Sequence, residues 1–481
     1  MPIDPTPAST STPTSAGAST SSTRTLTTTK IVLLVLAGVA PLTPIVSNIP
    51  VATSLGGPSM AGMYLLAGAL FVCFSVGYAE MARSVDRIEG LWTFIRAGLG
   101  SSAAGGGALL ALLGYFGILG GALSVGPYFF QSILSAKFGI NLPWFAYTAA
   151  LTCVVGVLAS RQIDLSVRIV GVLVVGEIAV IVILAAAIVI ERGTAAFPLN
   201  AFSWHNLISG NPGVVLMYAT LSFLSFEAAS LYASEARDPS RSVPRAIMIT
   251  VSVIAAFFVL STWVILGALG VEQSQAAAVE KSGDLLFFLS TTFGGSLLED
   301  ALSALMLTSL FATTLGLTNI AARNIRVLTT ENLLPSWIGA IDARTGAPRR
   351  AALLTGALAL VVVGTLGLVG ANPYTEIGGA FFGIGSVAIV GAQLLTSVAV
   401  IVYLHRRGHR GTFRHRLLPV VGAAGLLAIM VVILSQFSLL TGKTEWYYTY
   451  LPVVALAVLV AGAIRGRQAG RESREEAVEA A

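Results

Sequence analysis

The feature that most constrains this chain is the recurrence of apolar runs long enough to cross a lipid bilayer. A membrane-spanning helix needs roughly 20 apolar residues. Segments of that kind follow one another near 31–55, 60–82, 103–135, 143–160, 167–190, 212–234, 244–270, 286–328, 351–370, 375–404, 417–438 and 446–465. The eighth is long, and its first part, 286–296, reads as a separate short helix. Only 11% of the 481 residues are charged, where a soluble protein has about a quarter. The expected fold is therefore an all-α polytopic membrane protein with twelve transmembrane helices and no soluble domain.

Twelve spans place both ends on one side, and the basic residues say which. The loops on the side of the N-terminus carry all but four of the 28 Lys and Arg. The exceptions are Lys137, Arg192, Lys281 and Lys443. By the positive-inside rule both termini are expected in the cytoplasm of a cell (inner) membrane. The net charge of +5 is thus topological and gives no reason to expect nucleic acid. The outer loop 271–300 is acidic instead. Residues 1–29, rich in Ser, Thr and Pro, read as a disordered tail, and 467–481 as a short solvated one.

Two segments contain features that a plain anchor does not need. In segment one, Pro41, Pro44 and Pro50 fall within ten residues, beside Thr43, Ser47 and Asn48. Each proline removes a backbone donor, and freed backbone groups at membrane depth require protein or a wet cavity around them. In segment six, Glu227 interrupts an apolar run among the small residues Ser222, Ser225, Ala228, Ala229 and Ser230. An intramembrane carboxylate is costly and marks a functional position. Glu177 in segment five is the second. Interrupted helices at matching places divide the chain into two candidate inverted repeats, 30–191 and 212–405, with 417–466 appended. Cys73 and Cys153 lie inside apolar segments and read as packing residues. With His205, His405, His409 and His415 they make no metal-binding pattern, and no cofactor is expected. There is no nucleophile–base pair to suggest an enzyme and no nucleotide-binding motif to suggest a pump.

The stretch SFLSFEAASLYASEARDPSRSVPRAI, with Phe226-Glu227, Glu235, Pro239, Arg241 and Pro244-Arg245-Ala246, resembles the amino acid–polyamine–organocation transporters. So do Ala321-Ala322-Arg323, Leu333-Leu334-Pro335 and Gly346-Ala347-Pro348, and the connection Tyr78–Gly100. The resemblance implies a five-plus-five inverted repeat of the leucine-transporter type, with segments one and six unwound around a substrate. It implies a secondary active transporter for an amino acid or related amine, coupled to protons. The alternatives are a polyamine or organic-cation transporter, an exchanger, or a non-transporting sensor. Oligomeric state stays open.

Carried over by motif position, the substrate site would use Ala40, Pro41, Leu42 and Thr43, then Phe223, Ser225, Phe226, Glu227 and Ala228, with a hydroxyl from Tyr115. Phe223 or Phe226 would close over the substrate as an aromatic gate, unless each is a lipid-facing or core ring. Many relatives carry Gly-Ser-Gly in segment one; Ala40-Pro41-Leu42-Thr43-Pro44 stands there here, so the substrate class is less defined than the fold. No Lys or Arg lies mid-membrane, which would leave a substrate carboxylate to backbone donors. Glu177 and Glu227 are the candidates to carry the coupling proton, because a carboxyl away from water binds one more readily. Sodium is the alternative ion, with Thr313 and Thr314 as its hydroxyl ligands.

Overall fold

The computed structural model describes residues 26–479 except 86, 161–166, 343–346, 369, 408–412 and 442–449. Residues 1–25 of the tail expected over 1–29, the start of the last segment and Lys443 lie outside those residues. Among the described residues the secondary structure is helical, apart from one isolated β-bridge. In chain order the helices are α1 (Thr28–Val39), α2 (Leu42–Gly56), α3 (Met60–Ser84), α4 (Leu91–Leu99), α5 (Ser101–Phe138) and α6 (Trp144–Ser160). Then come α7 (Val167–Arg192), α8 (Trp204–Ile208) and α9 (Pro212–Phe223), a 3₁₀ helix over Phe226–Glu235, α10 (Pro239–Leu269), α11 (Ser274–Lys281) and α12 (Leu285–Thr330). Last are α13 (Arg349–Leu368), α14 (Gly378–Arg406), α15 (Phe413–Ser435), α16 (Phe437–Thr441) and α17 (Leu451–Glu479). Among the described residues, eleven helical stretches are long and apolar enough to cross a membrane. Where a twelfth was expected, α6 is apolar but shorter, at 17 residues.

The first membrane segment is two helices. Pro41 has no N–H for the Ala37 carbonyl, and Ala40 turns to φ 47°, ψ 78°. Its own N–H closes α1 on the Leu36 carbonyl at 2.8 Å. Of the three prolines only Pro41 parts the chain. Pro44 falls in the first turn of α2, where a missing donor is free of cost, and Pro50 lies within the helix. The sixth segment breaks without Pro or Gly. Leu224 is extended, Ser225 takes φ 81°, and the chain resumes as a 3₁₀ helix of 10 residues. Runs of that length are uncommon and tend to mark functional hinges. The eighth segment kinks at Gly295 (φ 71°), which separates a short first part as expected.

Glycines let the helices around these breaks approach closely, as membrane helices often do. A Cβ on Gly117 of α5 would lie 2.7 Å from the Gly385 Cα of α14, and one on Gly121 would lie 2.5 Å from the Phe382 ring. On the other flank of α5, a Cβ on Gly462 of α17 would meet the Gly105 carbonyl oxygen at 2.5 Å. Two terminal expectations need correction. Leu26 is buried and pairs with the end of the 3₁₀ helix, its N–H donating to the Glu235 carbonyl and its carbonyl accepting from the Arg237 N–H, both at 3.0 Å. The tail expected over 1–29 therefore ends before residue 26. At the other end α17 continues the last membrane helix through most of 467–481.

Candidate functional site

The break in the first segment frees three carbonyls. Ala37 faces a proline where its donor would be. The Leu42 N–H, which would serve Gly38, donates instead to Glu177 Oε2 at 3.3 Å. The Thr43 N–H, which would serve Val39, donates to the Ala40 carbonyl at 3.0 Å. Both breaks border one small cavity of about 50 Å³, with Gly38, Val39, Thr43, Ser47 and Asn48 on one side and Leu221, Leu224 and Ser225 on the other. Ile118, Ala122 and Val125 of α5, Leu310 and Thr313 of α12 and Phe382 of α14 complete the wall. No charged side chain lines it. Ser47, Asn48, Val125 and Phe382 also border a second space of about 180 Å³, lined by Tyr218 and Tyr374 among others. Phe382 thus borders both spaces.

The two intramembrane carboxylates flank this cavity without lining it. Glu227 is fully buried. Tyr115 Oη donates to its Oε1 and Gln393 Nε2 to its Oε2, each at 3.0 Å. The N–H groups of Ser225 and of Glu227 itself also face the carboxylate. Behind it, Tyr78 Oη donates to Ser230 Oγ at 2.8 Å, and Ser230 Oγ donates to the Glu227 carbonyl at 2.8 Å. One side chain therefore ties the second break to α5 and α14, and the adjoining backbone is held to α3. Glu177, 1% exposed, reaches from α7 to the first break through Leu42. The Ser309 hydroxyl of α12 lies against it and also meets Thr43 Oγ1 at 3.1 Å. Among the described residues neither carboxylate makes an ion pair.

Of the residues expected at the site, Thr43 and Ser225 line the cavity, and so does Thr313. Ala40, Pro41 and Leu42 shape the first break but give no side chain to the wall. Tyr115 serves Glu227 rather than the cavity. Phe223 and Phe226, expected over the substrate, do not border the cavity. Phe223 stacks on Phe71 at 5.2 Å, and Phe226 meets Phe71 and Phe74 edge-on at 5.6 and 5.9 Å. Both rings fill the core against α3, and Ala228 is buried with them. The hydroxyls of Thr313 and Thr314 donate one turn back, to the carbonyls of Ser309 and Leu310. Phe382 and Gln393 were not anticipated. Gln393, an amide in the middle of an apolar span, carried a readable signal; Phe382 carried none.

An all-helical bundle of spanning helices, two of them parted beside a small internal cavity, defines a polytopic membrane protein. A sequence model of amino acid permeases matches residues 21–459. The chain belongs to that amino acid permease family. It is similar to the methylthioribose transporter of Bacillus subtilis (strain 168), 23% identical over 391 residues, 77% of this chain and 79% of that one. It is also similar to the branched-chain amino acid permease BcaP of Lactococcus lactis subsp. cremoris, 24% identical over 316 residues, 61% of this chain and 66% of that one. An uncharacterized transporter of Mycobacterium tuberculosis is 24% identical over 257 residues, and there the match spans about half of each chain, 52% and 53%.

Proposed function

We propose that this protein is a secondary transporter that carries an amino acid or related amine across the cell membrane by alternating access, coupled to protons, with both termini in the cytoplasm. The observation that carries the reading is the meeting of two helix breaks at one cavity, each break braced by a carboxylate from the membrane interior. Membrane depth tolerates unwound backbone only where it is buried in protein or lines a cavity, and interrupted helices at matching places point to a transport site. The relatives named as transporters support it. Thr43 and Ser225 are the proposed polar contacts of the substrate, and Phe382 is its proposed outer lid.

Glu177 is the proposed proton carrier. Its carboxylate holds the Leu42 N–H, so gain of a proton weakens its grip on the first break. Glu227, already served by Tyr115 and Gln393, is the second candidate. The test is reconstitution of the full chain into liposomes, with uptake of an amino acid and amine panel under imposed pH and sodium gradients. The wild type is expected to respond to the pH gradient and Glu177→Gln to lose that response. Unchanged gradient dependence in Glu177→Gln and Glu227→Gln would sink proton coupling through these residues. Uptake driven by sodium alone would replace the proton with the alternative ion.

A further inference from the structure

We propose that the protein carries a second ligand site, for a phosphate group, in a cleft between the α3–α4 connection, the end of the 3₁₀ helix and α12. Two adjoining spaces of about 400 and 100 Å³ make up the cleft. Arg87, Ile88, Glu89, Ser234 and Arg326 border both. The cleft shares no lining residue with the cavity at the helix breaks. The chain builds it from three places. α3 ends at Ser84 and α4 begins at Leu91, and the short connection between them brings Arg87 to the wall. Arg323 and Arg326 stand three residues apart on α12, on one helix face, and both line the smaller space. Ser234 comes from the last turn of the 3₁₀ helix.

Charge says what the cleft can hold. Three arginines and two glutamates line it, so one positive charge is left over. Both glutamates are engaged: Glu89 Oε1 meets Arg87 Nη2 at 2.6 Å, and Glu235 Oε1 meets Arg323 Nη2 at 3.1 Å. Among the described residues Arg326 is in no ion pair. The Arg87 side chain is 75% exposed, and a pair so open to water is worth about 1 kcal/mol or less, so Arg87 is free to turn to a better acceptor. A guanidinium presents a planar fork of donors that matches phosphate oxygens, and Ser234 adds a hydroxyl to the same wall. The larger space is within the size range of small-molecule sites, so the phosphate can carry an organic body, as a solute or as a lipid headgroup. A ligand there touches α12 through Arg326 and the 3₁₀ helix through Ser234. It reinforces the contact that Arg323 and Glu235 already make between the same two elements, and so slows any cycle in which they part. That consequence rests on the transporter reading above; the site does not.

The experiment reads binding before transport. The thermal midpoint of the detergent-purified full chain is followed as inorganic phosphate replaces chloride at matched ionic strength. In a second arm, phosphatidic acid replaces phosphatidylcholine in the micelles. A saturable rise is expected, with half-saturation moved about tenfold or more upward in Arg326→Gln, which removes a charged donor. Arg416→Gln, at an exposed arginine outside the cleft, is expected to respond as wild type does. A rise with phosphatidic acid alone, again weakened in Arg326→Gln, upholds the site and makes the lipid headgroup its ligand. No rise in either arm, or an equal response from Arg326→Gln and wild type, overturns the site. Counterflow of whichever amino acid or amine the protein exchanges is then measured with the same probe on both faces of the liposome. Exchange is expected to slow in wild type and not in Arg326→Gln; an unchanged rate while the probe binds overturns the inhibitory role. Phosphate binding without exchange of any substrate sinks the transporter reading and leaves the site standing.

Discussion

At the scale of single residues, the two breaks share a costly backbone device. Ala40 and Ser225 both adopt positive φ, and neither is glycine. A side chain in that region costs about 1–2 kcal/mol, so the surrounding contacts must hold it there. Ala40→Gly is expected to keep or raise the thermal midpoint of the detergent-purified protein, and Ala40→Val, with its branched Cβ, to lower it by several degrees. Equal midpoints for the two variants would show that the break carries no such strain. The first break was legible in the sequence as a cluster of prolines, each without a donor, but which one parts the helix was not: Pro41 does, while Pro50 lies within α2. The depth of Glu227 was legible too, but its direction was not. The chain changes from α to extended to 3₁₀ between Phe223 and Phe226, and helical spacing cannot be extrapolated through such a change. That is why Phe223 and Phe226, expected over the substrate, turn out to pack against α3.

At the scale of elements, the site is set by how near α14 lies to α5. Their contact is a stripe of small residues in which Gly117 meets Gly385 and Gly121 receives the Phe382 ring. Gly117→Val drives a branched side chain into backbone. It is expected to destabilise the fold by about 1–3 kcal/mol, the usual cost of overpacking, and to weaken ligand binding by shifting Phe382. Gly364, whose Cβ would meet nothing within 4 Å, makes the control: Gly364→Val should leave both measurements near wild type. That the chain is a succession of apolar helices could be read from hydropathy, since each span must be apolar to exist. Which face of α14 meets α5 could not. A segment apolar on every side has no periodic signal, and only the notch at Gly121 decides that Phe382 points to the cavity.

At the scale of the whole molecule, the distribution of charge and the position of the breaks give the chain a direction. The arginine-rich loops gather on the side where α1 begins and the 3₁₀ helix ends. On that side Arg323 of α12 holds Glu235 through Nε and Nη2 at 3.2 and 3.1 Å and lies 4.6 Å from the Tyr232 ring centroid. The pairing of Leu26 with Glu235 and Arg237 lies beside it. Those two backbone hydrogen bonds have a mechanical consequence. α1 and the 3₁₀ helix are each cut off from their outer halves, yet are tied to one another at their far ends, so they form a single lever with its pivots at Ala40 and Ser225. Spin labels on Thr29 and Ser234, placed after Cys73 and Cys153 are replaced, should therefore keep a constant separation as ligand is added. A label on Ser102 should change its distance to both together. Independent swings of the two labelled ends would show that the bridge opens during the cycle, and that the protein works with two levers instead of one.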